Sequence, residues 1–402
     1  MLLTKILISF KYIFLLLVSF LLFNTPLFAE GKMDIKPYLD FSWKIDSNYH
    51  KSETAEKGVN TYSVKPGIEL GYRTDKTTLF LDYSLDVLRY DDKDTILPGS
   101  VKADDDDYVA HYGLLSLQSQ VSDRVLLGVD NLYLKTRDPA NADASSNAID
   151  RFQYSMNIFS SMILYKFGEK FALGLKYTNF DTNYDKVGEG EDSKENKGTF
   201  DIYYYLNSQT SLDLNYQIWN RDYDEATSDY DSNQVMLNVN HQFNYFTFSA
   251  GVGYHSRNFD KNTHKDIDDP SWQILIFGQN PPDATGIPRS SMLVSLTRNF
   301  NDSGSGEIYF ASTILDAKFT YLFLENFNAT LAGNYQNSDY ETGPRKDDTW
   351  KIYAALDWLI RDYVSFGIEA GKQERDSNQA GKDYENDYVM LNLKFNYDFA
   401  SR

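Results

Sequence analysis

Apolar and polar residues alternate along most of this chain, from about Asp34 to Phe399, in runs of roughly ten residues. Within the run Gly67–Tyr72, for example, Ile68, Leu70 and Tyr72 share one face and smaller or charged residues share the other. The breaks between runs are alternately short and long. Dyad periodicity with short turns on one side and long loops on the other predicts an all-β, transmembrane antiparallel β-barrel.

Seventeen such runs are clear in the sequence. An odd number would leave the two ends of the chain on opposite sides of the membrane, whereas single-chain bacterial barrels have even numbers of strands. The segment Trp272–Phe277 supplies the missing run, so we predict 18 strands. The alternative is a barrel of 16 strands in which Trp272–Phe277 is a plug or loop and another pair of runs merges.

The connections indicate an orientation. Short polar turns at 74–76, 122–124, 168–170, 207–209 and 360–362 fit periplasmic hairpins. The opposite connections are predicted to be long, acidic and extracellular, and they comprise Asp46–Asn60, Asp91–Asp107, Asp181–Lys197, Arg221–Ser232, Asn337–Asp347 and Glu374–Asn386.

Residues 1–29 have the pattern of a signal peptide. Lys5 and Lys11 provide a basic start, an apolar stretch covers Tyr12–Phe23, and Ala29 offers a small residue for cleavage. An uncleaved helical anchor is the competing interpretation. The expected domains are therefore a signal peptide at 1–29 and a barrel at 30–402, located in the outer membrane of a Gram-negative cell after export.

The composition restricts the kinds of site and partner that the chain can have. The chain has no cysteine, which excludes thiolate metal sites and disulfides. Its 31 tyrosines suit the aromatic girdles of a barrel, which meet lipid and lipopolysaccharide. A formal net charge of −19 argues against nucleic acid as a partner. Phe395, Tyr397 and Phe399 alternate at the end of the last run, a pattern that favours recognition by the barrel-assembly machinery.

Several short motifs resemble the outer-membrane β-barrel porin families, in particular the type-two group often found near exopolysaccharide loci. They are Asp46–Tyr49, Val64–Gly67, Leu81–Leu85, Ser295–Arg298 and Ser303–Gly306. The resemblance covers essentially the whole chain after residue 29 and implies a pore or export barrel, without a defined substrate. Because Pro66 cannot donate a ladder hydrogen bond, we expect a bulge at Pro66-Gly67.

Alternation also predicts which side chains face the lumen. Aromatic rings beside carboxylates are a common way to hold sugars, and the alternative is that such rings only fill volume or join a girdle. The candidate substrate-binding residues of the lumen are Tyr203, Tyr205, Trp219, Asp82, Asp86 and Asp213.

The run Asp104, Asp105, Asp106 and Asp107 is a weak candidate for a surface metal site, because it lacks the spacing of any defined ion loop. A solvated acidic loop is the simpler interpretation. The five histidines have no metal-ligand spacing and no nucleophile motif occurs, so we expect neither a cofactor nor an enzyme.

Two functions follow from the sequence. The first is a pore that passes or exports polar solute, above all carbohydrate or exopolysaccharide, by passive transport. The second is a non-conducting surface protein whose acidic loops bind a partner, divalent ions or extracellular polymer.

Overall fold

The fold is defined by a computed structural model that describes residues 31–93, 102–138, 151–186, 188–224, 227–260, 265–281, 288–301, 309–340 and 344–399. Eighteen strands and one short 3-10 helix, Ala103–Asp106, lie within these ranges. The strands are β1 Lys32–Asp46, β2 Val59–Arg73, β3 Thr77–Asp92, β4 Tyr108–Ser122, β5 Val125–Thr136, β6 Tyr154–Phe167, β7 Phe171–Tyr184, β8 Ser193–Tyr205, β9 Thr210–Tyr223, β10 Tyr230–Gln242, β11 Phe246–Phe259, β12 Ile267–Gln279, β13 Ser290–Asn301, β14 Phe310–Leu324, β15 Phe327–Tyr340, β16 Lys346–Arg361, β17 Val364–Ser377 and β18 Tyr384–Asn396.

Each strand pairs antiparallel with its neighbours in sequence, and β18 pairs with β1 to close the sheet. Closure leaves no sheet edge, so the backbone groups of the strands find partners within the protein, as a lipid environment requires. The prediction of an 18-stranded antiparallel barrel is confirmed. The segment Trp272–Phe277 lies within β12 and pairs with β11 and β13, and is neither a plug nor a loop.

Alternate residues of each strand face outward and inward. On β9, Leu214 and Tyr216 are 42% and 40% exposed on the outer face, and Asp213 and Asn215 have the opposite parity. The same alternation places a largely apolar surface outside and a polar wall around the lumen. In the part of the chain that the structure describes, no helix has the length and apolar character needed to cross a membrane.

The two ends of the barrel differ. One end, which we call the turn end, carries the short connections between β2 and β3, β4 and β5, and β6 and β7. The opposite end, the loop end, carries the connections after β1, β3 and β5. One connection at the turn end departs from this rule, because β12 ends at Gln279 and β13 begins only at Ser290.

The strands are longer than the hydrophobic pattern predicts. They have 12 residues in β5 and 16 in β3, whereas about 9–11 residues cross a bilayer. The predicted loop Asp181–Lys197 is therefore too long, because β7 continues to Tyr184 and β8 begins at Ser193. The alternation of apolar residues stops where polar residues begin, but the strand does not end there. Its backbone hydrogen bonds continue beyond the membrane.

Two local predictions are wrong. No bulge occurs at Pro66: the register between β2 and β3 is unchanged from Val64 to Gly67, and the ladder only lacks its pairs at Lys65 and Pro66. The last strand also ends at Asn396, so Tyr397 and Phe399 lie beyond it. The predicted signal peptide, residues 1–29, lies outside the described residues.

Buried polar clusters fasten the loop end. Where β1 meets β18, Asn386 donates from Nδ2 to Oδ1 of Asp46 at 2.9 Å and accepts from the backbone N–H of Asn48 at 2.9 Å. A second cluster surrounds Asp347, whose carboxylate is fully buried and accepts hydrogen bonds from Arg345 Nε at 3.0 Å and Ser377 Oγ at 2.7 Å. Breaking such a buried pair costs about 3–5 kcal/mol, so these contacts hold the extramembrane strand ends in place.

Candidate functional site in the lumen

The inner face of β8–β12 carries a row of linked carboxylates and amides, which we call the amide ladder and which consists of Asp201, Asp213, Asn215, Asn238 and Gln273. Asn215 donates to Asp201 at 2.5 Å, Asn238 donates to Asp213 at 3.2 Å, and Gln273 donates to Asn238 at 2.7 Å. These bonds run across strands because the register places Asp201 opposite Asn215 and Asp213 opposite Asn238. Each residue keeps further acceptors or donors, which can bind hydroxyl groups.

Tyr203 adjoins this ladder. The register places it directly opposite Asp213 and two residues from Asp201 on the same face of β8. Its ring lies beside Gly174 of β7, where a Cβ atom would be 3.5 Å from Cε2 of Tyr203. Tyr205 has the same parity and pairs with Ser211, one step nearer the turn end. Three of the six predicted residues, Tyr203, Tyr205 and Asp213, thus lie on one wall.

Trp219 also lies on β9 with lumen parity, but it is only 5% exposed. It packs in a cluster with Tyr230 and Tyr309, and its ring centroid is 5.0 Å from that of His255. Lys197 Nζ lies 4.6 Å from the centroid of the Trp219 ring. Most of the ring is therefore covered by protein at the loop end, which leaves little of its surface for a solute.

Asp82 and Asp86 lie on β3, on a different part of the wall. Asp82 accepts a hydrogen bond from the hydroxyl of Tyr38 at 2.9 Å, and Asp86 accepts one from Ser63. Tyr38 reaches Asp82 by crossing β2 at Gly67, where a Cβ atom would lie 2.2 Å from Cζ of the tyrosine ring. The absence of a side chain at Gly67 therefore permits this contact.

A cavity of about 320 Å³ opens on the inner face of β1–β5 near the loop end. We call it the tyrosine cavity, because Tyr49, Tyr90, Tyr108 and Tyr112 line it. Tyr49 and Tyr90 have ring centroids 5.1 Å apart, and the rings of Tyr90 and Tyr108 are stacked with centroids 6.4 Å apart. The charged residues of the lining are Lys44, Lys65, Arg151, Asp46, Asp86 and Asp138.

Asp86 is the one predicted candidate in this cavity, and the other contributors come from separate loops and strands. Tyr49 belongs to the motif Asp46–Tyr49, which the sequence marked only as a family resemblance. Arg151 follows a long connection and carried no sequence signal at all. Alternation identifies wall residues, but it cannot show which loop residues fold back over them.

The loop between β1 and β2 adds a cation near this cavity. Lys51 Nζ lies 5.5 Å from the centroid of the Tyr384 ring. Burial, followed by the charges of Arg151 and Arg375, lowers the pKa of the Lys51 ammonium to about 8. Burial likewise lowers the pKa of His50. Local positive charge therefore exceeds local negative charge around Lys51.

The acidic run at the loop end is largely engaged with protein. The Asp107 carboxylate accepts from the backbone N–H of Tyr90 at 2.8 Å, and Asp106 accepts from Arg137 at 3.1 Å. Asp105 accepts from the backbone N–H of Lys102 at 3.4 Å, and Asp104 lies in the 3-10 helix with Asp105 and Asp106. Among the described residues, no group of three or more histidine or acidic side chains is arranged to hold a metal ion.

Comparison with known proteins agrees with this architecture. Residues 245–397 match the family Putative beta-barrel porin 2. The match confirms the family resemblance for this part of the chain, and it points to the outer membrane.

Three solved structures are similar to the chain at low sequence identity. The barrel is similar to Pseudomonas aeruginosa OccK2 (OpdF), with 9% identity, a TM-score of 0.50, and coverage of 92% of this chain and 98% of that chain. Acinetobacter baumannii OccAB4 gives 14% identity, a TM-score of 0.49 and coverage of 91% and 98%. The outer membrane protein OpdK of P. aeruginosa gives 10% identity, a TM-score of 0.47 and coverage of 92% and 99%. No curated protein sequence matches the chain.

Proposed function

We propose that this protein is an outer-membrane pore that passes or exports polar solute, above all carbohydrate or exopolysaccharide, by passive transport. The family match and the closed barrel support a pore for solute. Barrels of 16–18 strands are wide enough to leave an aqueous channel. Carbohydrate as the solute is the finer part of the proposal and depends on the chemistry of the inner wall.

The observation that carries the carbohydrate proposal is the amide ladder with Tyr203 beside it. A sugar presents hydroxyl groups at its edges and C–H groups on its faces. Asp213, Asn215 and Asn238 offer acceptors and donors for the hydroxyls, and an aromatic ring offers an apolar face of matching size. Because these groups form one row across neighbouring strands, a solute could exchange one set of hydrogen bonds for the next as it moves.

A vesicle-swelling experiment tests this function. Protein purified from outer membranes would be placed in lipid vesicles, which are then diluted into isosmotic solutions of mono-, di- and tetrasaccharides. We expect swelling that is rapid for small saccharides and slows with saccharide size. Vesicles that stay unswollen in every saccharide, with protein shown to be folded, would contradict the proposal.

The aromatic clusters of the loop end favour a second candidate. The two clusters, Tyr49 with Tyr90 and Trp219 with Tyr230 and Tyr309, bury large side chains on the inner side of the barrel. Such packing is suited to a non-conducting surface protein whose barrel is an anchor and whose acidic loops bind polymer, ions or a partner. Absence of swelling together with polymer binding by whole cells would select this candidate.

A further inference from the structure

Charge pairing in the tyrosine cavity is incomplete. Its carboxylates already have partners: Asp46 pairs with Lys44, whose Nζ lies 2.8 Å from Oδ1, and also accepts from Asn386. Asp86 accepts from Ser63, and Asp138 also has a partner. The ordinary electrostatic partners of a buried cation are therefore occupied before Arg151 is considered.

Arg151 is a cation of this cavity that lacks a direct ion pair. Its guanidinium carbon lies 4.0 Å from the centroid of the Tyr49 ring, so the ring is its nearest partner. Its Nε is inaccessible to solvent and has no hydrogen-bond partner. Within the described ranges, no carboxylate lies within ion-pair distance of it, although Asp138 and Asp46 act on its charge from farther away. A guanidinium with a buried Nε and an aromatic ring as its nearest partner is costly, which indicates that a bound anion would complete the site.

Neighbouring groups increase the attraction for an anion. Lys51 and Arg151 repel each other, which contributes to the lowered pKa of Lys51. Lys65 Nζ lies 5.5 Å from the centroid of the Tyr112 ring, so a second cation of the lining also faces an aromatic ring. An entering carboxylate would relieve this repulsion and pair with a guanidinium in a charge-assisted, bidentate manner.

The lining also contains aromatic rings. Tyr49, Tyr90 and Tyr108 form a continuous row of rings beside the guanidinium. Tyr49 and Tyr90 are only 3% and 6% exposed, so the partly buried Tyr108 and Tyr112 are the rings that a solute can reach. A small inorganic anion would gain nothing from contact with these rings, whereas a sugar ring can pack against them. The volume of about 320 Å³ admits one or two sugar units, taking roughly 300 Å³ as the lower size of a ligand pocket.

We propose that the tyrosine cavity binds a carboxylated sugar unit of the uronic acid class, with Arg151 pairing with the carboxylate and the partly exposed rings of Tyr108 and Tyr112 packing on the sugar ring. The inference rests on the proposed function, since it names the class of carbohydrate that the pore would take. It adds a site on β1–β5 to the amide ladder of β8–β12. The amide ladder contains the carboxylates of Asp201 and Asp213. It would therefore bind the uncharged hydroxyl groups of the same solute and not its carboxylate.

The test measures binding rather than transport. Purified, detergent-solubilised protein would be titrated calorimetrically with a galacturonic acid tetramer and with its methyl ester, which has the same sugar rings but no charge. We expect the acid to bind at least about tenfold more tightly than the ester at low salt, because only the acid can form the charge-assisted pair. Equal binding of acid and ester, or binding of neither, would overturn the proposal.

Variants assign the preference to Arg151. Arg151→Gln should abolish the acid-over-ester preference, and Arg151→Lys should restore part of it. Lys346→Gln is the matched control, because it removes the same charge from an exposed side chain at the loop end, paired with Asp339 at 2.7 Å. A preference that persists in Arg151→Gln would place the anion elsewhere and contradict the assignment.

The two proposals fail differently. A pore that swells vesicles in neutral saccharides but binds acid and ester equally would keep the proposed function and reject the uronate site. Protein that binds the acid selectively but never conducts would keep the site and reject the pore. If Arg151→Gln does not fold, as judged by heat-modifiable migration on gels, the wild-type comparison of acid with ester still decides the proposal.

Discussion

The two walls of the lumen achieve polarity by different means. On β8–β12, carboxylates and amides such as Asp213 and Asn238 bond across neighbouring strands, and the arrangement follows from register alone. On β1–β5, cations and tyrosines line a cavity that loop residues such as Tyr49 and Arg151 complete. The first wall is a repeating surface and the second is a discrete site.

This difference separates two tasks within one barrel. A row of similar hydrogen-bonding groups lets a neutral solute move between equivalent positions, because no position is much better than the next. A cavity with a guanidinium that lacks a direct ion pair favours one position and a negative charge. The account therefore expects the ladder to set permeation of neutral sugars and the cavity to set selectivity for acidic ones.

The largest expected effect concerns the buried cluster that adjoins the ladder wall. Trp219→Ala should lower the free energy of unfolding by about 3–5 kcal/mol, because the ring packs with Tyr230 and Tyr309 and is almost fully buried. Denaturant unfolding measures this, with Tyr203→Ala as the less destabilising control. Unchanged stability with strongly weakened sugar binding would instead assign Trp219 to the solute path.

Charge selectivity should respond in opposite directions on the two walls. Asp201→Asn combined with Asp213→Asn removes negative charge from the ladder and should shift permeability toward anions, whereas Lys44→Gln on the opposite wall should shift it toward cations. Reversal potentials in a salt gradient measure both changes, which should be several-fold at low salt and smaller at high salt because ions screen exposed charges. Shifts of the same sign would show that the walls do not act separately.

Tyr203 provides a smaller and more specific test. Tyr203→Ala should weaken the block of ion current by a neutral oligosaccharide by about 2- to 10-fold, which corresponds to an aromatic contact of about 0.5–1.5 kcal/mol. Tyr203→Phe keeps the ring and should retain most of the block. If the phenylalanine variant loses as much as the alanine variant, the hydroxyl and not the ring makes the contact.

The smallest effect is a dependence on pH. The pKa of Lys51 is lowered to about 8 by burial and by Arg151 and Arg375, with Asp138 opposing and Lys44 adding to the shift. Raising the pH from 7 to 9 should therefore remove this cation and reduce permeability to anions by up to about twofold, and Lys51→Gln should remove that step. Since its pKa is below the unfolded value, protonated Lys51 opposes folding, and this destabilisation disappears as pH rises from about 8 toward the unfolded value.

Periodicity was sufficient to predict the barrel. Alternation and the even-number rule together placed Trp272–Phe277 in a strand, and the structure has it in β12. Parity also placed Tyr203 and Asp213 on a common face. Strand ends were harder to predict, because the ladder continues past the lipid-facing pattern to Tyr184 and Ser193.

The tyrosine cavity could not be predicted from the sequence. It joins Tyr49, Tyr90 and Arg151, which are far apart along the chain and belong to different connections or strand ends. Nothing in the local pattern around Arg151 distinguishes it from an ordinary loop cation. Alternation predicts that Trp219 faces the lumen, but it does not predict how much of the ring is exposed. The structure shows that the ring is almost fully buried.

Single-channel recording shows directly whether the barrel conducts and whether a sugar enters it. Folded protein from outer membranes would be inserted into a planar bilayer and its current recorded while a neutral oligosaccharide is added. We expect a steady conductance. The sugar should reduce the conductance of the wild-type protein, and it should reduce that of Tyr203→Ala less. Folded protein that inserts without conducting, or that conducts with no response to sugar, would contradict a carbohydrate-passing pore.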